Sequence, residues 1–342
     1  MGAIPDGSPT IDADSWTRVI PWLVLLQATL SIATAGPATA PGYLPLWVAQ
    51  SEGYFAQEGL TVSLVPTRAD ALAAEALAHG RVNLAATTLD AAIVFGATAG
   101  APPRIVFGLT ATPPVVLLVP EARKDAIRSI ADLAGSTVGI PAPGTSAESM
   151  LLALLARARV PIPKVTVRSF GERALVGAVE AGEVTVGILP DPYATRLIAE
   201  GKAVALADFR KRGEMERWFD SHGVHSGLFV PKDTWLGAAE LKPLCRALLR
   251  AVERVRTATP EELQATLPAS VVGFPPEDFA VRLLGARGIF LEDGRVTPEM
   301  LKASIALIES RGSIPVRVKM PGNLNRLLLM EPLQEALEPS DR

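Results

Sequence analysis

A regular alternation of short apolar runs with alanine-rich segments is clearest at residues 61–97, which read TVSLVPTRADALAAEALAHGRVNLAATTLDAAIVFGA. Residues 61–65 contain enough β-branched side chains to predict a strand, and residues 69–78 are rich in alanine, which favours a helix. Residues 82–86 predict the next strand and residues 89–97 the next helix. Strands that alternate with helices in this way are typical of α/β proteins.

The same alternation extends to both sides of this segment. Further strands are predicted at residues 29–35, 104–110, 115–119, 137–140, 164–168, 184–189, 204–207 and 226–230. Further helices are predicted at residues 44–52, 146–157, 173–181 and 192–200, and the chain from residue 241 onward is mainly helical. The pattern of residues 115–205 therefore repeats that of the first segment.

A repeated α/β unit followed by one returning strand predicts two α/β lobes. We expect residues 29–112 and 225–342 to form the first lobe and residues 113–224 the second, with chain crossings near residues 109–114 and 207–226. Ligands of open α/β sheets bind at the carboxyl ends of the strands, so the cleft between the lobes is the predicted binding site.

Composition narrows the range of functions. With 342 residues, 49% hydrophobic and 20% charged, the chain can build a sizeable core, which excludes a disordered or fibrous protein. The formal net charge of −3 gives no electrostatic reason to expect nucleic acid as a partner. A single cysteine, Cys245, excludes an internal disulfide and a cysteine-cluster metal site. We predict neither a metal site nor a cofactor.

The N-terminal segment has a signal-like hydrophobic core. Residues 19–28 form the most apolar run of the chain, and its length suits a signal peptide better than a membrane span. Cleavage after Ala28 or after Ala40 is compatible with the sequence, although the second position would remove the first predicted strand. The flanking region is acidic, so a hydrophobic N-terminal helix on a cytosolic protein stays an alternative for residues 1–28. No cysteine lies near the start, which excludes a lipoprotein.

Four strand-to-helix turns carry residues typical of helix N-termini. The pairs Thr67/Asp70, Thr87/Asp90 and Thr145/Glu148 resemble capping boxes, in which each side chain binds the other residue's backbone amide. Asp191, followed by a proline, resembles an N-cap. Because a helix N-terminus presents unpaired amides and a partial positive charge, two such turns facing each other predict a site for a carboxylate, sulfonate or phosphate. Gly144 would let the backbone approach such a ligand closely.

Several motifs resemble a known family of binding proteins. Residues 45–62 read PLWVAQSEGYFAQEGLTV, residues 76–85 read ALAHGRVNLA, residues 139–146 read GIPAPGTS, and residues 178–193 read AVEAGEVTVGILPDPY. In this order they resemble the nitrate/sulfonate/taurine (SsuA/THI5-like, NMT1) family of ABC-transporter substrate-binding proteins. Asn83 and Thr185 stand where that family usually has aspartate.

The resemblance implies a type II periplasmic-binding-protein fold, in which two lobes close on a small molecule and then dock on a membrane permease. It also implies an exported, periplasmic and non-catalytic protein, which we expect to be a monomer. By position, the implied ligand-binding residues are Gly36, Pro37, Tyr43, Thr67, Arg68, Thr87, Thr88, Thr110, Gly144, Thr145, Ser146, Asp191 and Tyr193.

An enzyme on the same fold is the alternative function. Relatives that make a thiamin pyrimidine precursor use a cysteine-rich stretch that this chain lacks, and others act in menaquinone synthesis. The sequence shows no paired carboxylates or nucleophile–base motif. His222 and His225 lie in the predicted second crossing, where a structural or surface role is expected. The ligand stays open among sulfonate-, nitrate-, carboxylate- and pyrimidine-like molecules.

Overall fold

The structure is a computed structural model that describes residues 29–98, 100, 102–220, 223–310 and 323–338. The expectations for the signal-like segment at residues 1–28 and for His222 lie outside the described residues.

The strands follow the predicted positions closely. In chain order they are β1 (Leu30–Thr34), β2 (Val62–Pro66), β3 (Leu84–Thr88), β4 (Arg104–Thr110), β5 (Val115–Pro120), β6 (Thr137–Ile140), β7 (Thr166–Ser169), β8 (Val186–Pro190), β9 (Ala203–Asp208) and β10 (Ser226–Val230). Where bounds differ from those predicted, they shift by one or two residues, which is the usual uncertainty at element ends.

Helices occupy the segments between strands and most of the C-terminal part. They are α1 (Leu44–Ser51), α2 (Tyr54–Gln57), α3 (Asp70–Ala78), α4 (Leu89–Thr98), α5 (Ser146–Arg157), α6 (Glu172–Glu180), α7 (Tyr193–Ala199), α8 (Glu214–Phe219), α9 (Ala238–Thr257), α10 (Pro260–Thr266), α11 (Ala269–Val272), α12 (Glu277–Ala286), α13 (Pro298–Ser310) and α14 (Glu331–Leu337). Among the described residues, no helix combines the length and apolar character needed to span a membrane.

Two five-stranded sheets of the same pattern form the framework. The first has the order β2-β1-β3-β10-β4 and the second β7-β6-β8-β5-β9. In each sheet the first three strands are parallel, while the fourth runs antiparallel to both of its neighbours. We call the first sheet with its helices the first lobe and the second sheet with its helices the second lobe. The chain passes between them after β4 and again after β9.

The two residues that depart from the family pattern link neighbouring strands. The Asn83 side-chain oxygen accepts a hydrogen bond from the backbone amide of Ser31 at 2.9 Å. In the second lobe, the Thr185 hydroxyl accepts one from the amide of Thr137 at 3.3 Å. Each residue lies just before the third strand in the order of its sheet and binds the neighbouring second strand, β1 or β6. A polar side chain at this position therefore has the same task in both lobes.

The long helix α9 closes the core of the first lobe. Its buried side chains recur every three or four residues, as expected for one apolar face of a helix, at Leu241, Leu244, Leu248, Val252 and Val255. Cys245 lies on the same face and is fully buried. Burial raises the pKa of its thiol to about 12, so it stays uncharged at neutral pH.

The division of the C-terminal half between lobes is less sharp than the sheets suggest. Leu301 and Ile305 of α13 belong to the core of the first lobe. Leu307 of the same helix packs against the core of the second lobe. The residue bounds predicted for the two lobes therefore stay a prediction.

Close packing around β10 gives a test of the fold. A Cβ atom at Gly227 would lie 2.5 Å from the Cδ1 of Ile105 and 2.8 Å from the carbonyl oxygen of Phe107. We expect Gly227→Ala to lower the free energy of unfolding by about 1–3 kcal/mol, because the backbone oxygen cannot move without breaking the sheet.

The matched control is Gly177→Ala in α6, where an added Cβ has no described atom within 4 Å. That substitution should raise the free energy of unfolding by about 0.5–1 kcal/mol through the better helix propensity of alanine. Urea denaturation of both variants measures the two effects. Equal stability of the two variants would contradict the described position of β10.

Candidate functional site

A cavity of about 340 Å³ lies between the lobes, at the carboxyl ends of the parallel strands. The segments after β1 and β2 and the last residue of β3 line it from the first lobe, and the segments after β6 and β7 with the last residue of β8 line it from the second. Thr110 at the end of β4 and Ser226 at the start of β10 form part of its wall. The predicted cleft is therefore present, and both lobes contribute to it.

Most of the residues implied by the resemblance line this cavity. Those that do are Gly36, Pro37, Tyr43, Arg68, Thr88, Thr110, Gly144, Thr145 and Ser146. Those that do not are Thr67, Thr87, Asp191 and Tyr193. Their roles in binding stay predictions, but the structure indicates what the hydroxyl and carboxylate groups outside the lining do instead.

Thr67 and Thr87 form backbone-directed hydrogen bonds. The Thr67 hydroxyl lies 3.1 Å from the carbonyl oxygens of Thr34 and Ala69, to which it can donate. The fully buried Thr87 hydroxyl donates to the carbonyl of Asp70 at 2.8 Å. Neither hydroxyl accepts a hydrogen bond from a helix amide, so the capping boxes predicted at these two turns are wrong. Both threonines instead hold the turn before α3 in place.

Of the two hydrogen bonds of the capping box predicted at α5, one is confirmed. The Thr145 hydroxyl accepts a hydrogen bond from the amide of Glu148 at 3.5 Å. The Glu148 carboxylate accepts one from the amide of Gly144 at 2.6 Å, rather than from Thr145. The Glu148 carboxylate therefore already binds the Gly144 amide at the edge of the cleft.

Asp70 lines the cavity, although the turn pattern predicted it to cap α3. Instead of capping α3, its Oδ1 accepts hydrogen bonds from the Tyr43 hydroxyl and from the amide of Thr88 at 3.1 Å. Burial raises the pKa of the Asp70 carboxyl, and the nearby charge of Asp90 raises it further, against the effect of the Tyr43 hydrogen bond. Burial and the Asp70 charge likewise raise the pKa of Tyr43 well above its ordinary value. Tyr43 therefore contributes its ring to the wall while its hydroxyl binds Asp70.

His225 connects the two lobes across the cavity. Its Nε2 lies 3.3 Å from the hydroxyl oxygen of Ser146, which begins α5 of the second lobe. Next to it, the hydroxyls of Thr110 and Ser226 are 2.7 Å apart and buried. The sequence assigned His225 only to a crossing segment, because the position of its ring depends on how β10 pairs with β3. Glu172 also lines the cavity without a sequence signal.

Asp191 belongs to an ion cluster beside the site. Its Oδ1 accepts a hydrogen bond from the amide of Thr195 at 3.1 Å, but the N-cap of α7 is Pro192, one residue later than predicted, and makes no side-chain cap bond. Arg210 Nη1 donates to Asp191 at 2.7 and 2.8 Å, and Arg210 Nε donates to Asp208 at 2.7 Å. Burial alone would raise the pKa of Asp208, but the hydrogen bonds and charge of Arg210 lower it below the ordinary value. The cluster therefore ties the start of the segment that crosses to the first lobe, directly after β9, to the turn before α7.

A family model described as NMT1/THI5 like matches residues 40–260, which is well over half of the chain. Among curated proteins, none is significantly similar in sequence.

Solved structures share the fold at low sequence identity. The periplasmic aliphatic sulphonate binding protein SsuA from Escherichia coli is 21% identical, with a TM-score of 0.69, over 87% of this chain and 98% of that chain. The alkanesulfonate-binding protein SsuA from Xanthomonas axonopodis pv. citri, bound to MOPS, is 21% identical, with a TM-score of 0.63, over 89% and 98%. The nitrate-binding protein NrtA from Synechocystis is 14% identical, with a TM-score of 0.60, over 91% and 88%. These likenesses confirm the predicted type II periplasmic-binding-protein fold.

The ion cluster generates a prediction about stability. Arg210→Met should lower the free energy of unfolding by about 3–5 kcal/mol at pH 7, because the buried Asp191 and Asp208 would lose their shared partner. The folded pKa of Asp208 is depressed, so its contribution is present above its unfolded pKa of about 3.9 and is lost as the pH falls toward the folded pKa.

In the variant, by contrast, Lys211 at 3.5 Å is the remaining partner of Asp208, so burial has a larger effect on the pKa of Asp208 and raises it relative to the parent, and acid relieves the penalty. The difference between the two proteins should therefore shrink from pH 7 to pH 4, as measured by urea denaturation. The control is Arg128→Met, which removes an exposed ion pair with Asp125 and should change stability by less than about 0.5 kcal/mol. A loss for Arg210→Met as small as that of the control would contradict the role of the cluster.

Proposed function

This chain belongs to the NMT1/THI5-like family, and from that premise we propose that it is the extracytoplasmic solute-binding component of an ABC importer. In this proposal it captures a small anionic or polar organic molecule by closure of its lobes and delivers it to a permease in the membrane. The protein is periplasmic, acts as a monomer and does not transform its ligand. The sulfonate- and nitrate-binding structures that share its fold support this assignment.

The observation that carries the proposal is the cavity lined by both lobes. A molecule in it would contact Tyr43 and Thr110 on one side and Ser146 on the other. Such a ligand binds the closed arrangement better than the open one, and it shifts the population toward closure by that difference in affinity. The volume of about 340 Å³ is within the usual range for small-molecule sites.

An enzyme on the same fold is the second candidate, and one contact favours it. A serine hydroxyl 3.3 Å from an imidazole, as in Ser146 and His225, is the start of a nucleophile–base pair. However, the two residues belong to different lobes, so each opening of the cleft would separate them. This geometry fits a contact of the closed state better than a catalytic pair. Covalent labelling of Ser146 by a fluorophosphonate would favour the enzyme instead.

Lobe closure and ligand contact can be tested together. A thermal-shift screen across sulfonates, aromatic carboxylates, nitrate, pyrimidines and small amines should identify compounds that raise the melting temperature, because binding stabilises only the folded state. A true ligand should also reduce the radius of gyration in small-angle X-ray scattering. We expect Ser146→Ala to weaken that ligand by about five- to tenfold, because one hydrogen bond to the second lobe is lost.

The control is Ser270→Ala, the same chemical change at an exposed position of α11. It should leave both affinity and melting temperature unchanged. A compound that binds without any contraction, or that binds Ser146→Ala and Ser270→Ala equally well, would contradict the proposed clamp.

A further inference from the structure

The side chains that line the cleft are more acidic than expected for a site that binds a simple anion. Two carboxylates, Asp70 and Glu172, line the cavity from opposite lobes. Among the described lining residues, Arg68 is the one permanent cation, and its side chain is exposed. An anion in this cavity would therefore meet like charges from both lobes.

A second chamber continues the same acidic surface. It has a volume of about 240 Å³ and shares Asp70, Thr88 and Ser146 with the main cavity. Asp90 and Glu148 contribute two more carboxylates to its lining. The remaining wall is formed largely by apolar side chains, Val94, Phe95 and Leu152. The two spaces, which have Asp70 in both of their walls, suit a molecule with a positive group near Asp70 and an apolar part between α4 and α5.

The amides that would hold an anion are partly occupied by the chain's own carboxylates. The amide of Thr88, the last residue of β3 and directly before α4, donates to Asp70. The amide of Gly144, at the lip of the second lobe, donates to Glu148. Each carboxylate supplies the negative charge that an anionic ligand would otherwise bring to these amides. The turns predicted from the sequence to bind an anion are thus placed beside negative charge.

Asp70 itself is the group best placed to bind a cation. Its Oδ1 receives the Tyr43 hydroxyl and the Thr88 amide, while none of the ion pairs in the described part of the chain includes its carboxylate. A carboxylate in a partly buried cavity with only neutral donors gains from a cationic partner. The Tyr43 and Thr88 bonds hold it in one orientation, so little ordering is needed when a ligand arrives.

We propose that the ligand of this cleft carries a protonated nitrogen, which binds the carboxylate of Asp70. This inference rests on the proposed function and names the chemical class of the molecule captured. An anionic group elsewhere on the same ligand has Arg68 as its partner at the edge of the cavity, so zwitterions as well as simple cations satisfy the arrangement.

Matched pairs of small molecules test the inference on the whole protein. The pairs are 4-aminobutanoate with butanoate, 2-aminoethanesulfonate with ethanesulfonate, and benzylamine with benzoate. Thermal shift and titration calorimetry compare the members of each pair. We expect the amino member to bind more tightly in at least one pair. Asp70→Asn should weaken that member by about ten- to hundredfold, because a charge-assisted hydrogen bond is lost, and should leave its partner unchanged or tighter.

Two further variants separate the effect of the Asp70 charge on ligand binding from effects on the local structure. Tyr43→Phe removes a donor to Asp70 but keeps the charge, so it should retain the preference for the amino member. Asp125→Asn makes the same change as Asp70→Asn at an exposed site and should have no effect on binding. Asp70→Asn keeps an oxygen that can accept from Tyr43 and Thr88, and circular dichroism checks that it folds.

Three results would overturn the inference: tighter binding of the anionic member in every pair, absence of binding by every amino compound, or an equal loss for both members in Asp70→Asn. Anion binding with lobe contraction would reject this ligand class but leave the proposed function intact. Binding of an amine without contraction of the lobes would reject the proposed function while leaving the role of Asp70 standing.

Discussion

One strand in each sheet runs antiparallel between two neighbours, and the rest of the structure depends on this insertion. In the first lobe β10 lies between β3 and β4, and in the second lobe β5 lies between β8 and β9. Each of these strands begins at the cleft, directly after a chain crossing. The crossings therefore place Thr110, Ser226 and His225 at the floor of the cavity, where the hydroxyls of the first two bind each other. The binding site is a consequence of how the chain changes lobes.

Local patterns were sufficient to predict the framework. Short β-branched runs and alanine-rich segments place their strands and helices within a residue or two, because each element buries a face whose period is visible in the chain. Strands β4, β6 and β10 and helix α5 have the predicted bounds. The predicted strand-to-helix turns also included Thr88, Thr145 and Ser146 of the cavity, because residues at and beyond the carboxyl ends of parallel strands meet at one edge of the sheet.

What the sequence could not supply are the pairings made across the fold. Asp70 resembles the N3 residue of a capping box that starts at Thr67, yet its carboxylate binds Tyr43, which is distant in sequence and brought near by the packing of the first lobe. His225 reaches Ser146 only once β10 has paired with β3. Glu172 enters the cavity from a helix whose exposed first turn has no motif. These residues set the charge of the cleft, and for that reason a shared fold says little about which molecule it holds.

The burial of Cys245 has a practical consequence for following motion in this protein. Its sulfur lies on the inner face of α9, 3.9 Å from the carbonyl oxygen of Val106, and its thiol stays protonated at neutral pH. Only thiolates react readily with maleimide dyes, so the native side chain contributes no background labelling while the chain is folded. Cysteines introduced in pairs, one on each rim, would carry fluorophores at known positions. Energy transfer between the two fluorophores then measures the distance between the rims of the cleft in single molecules as the lobes open and close.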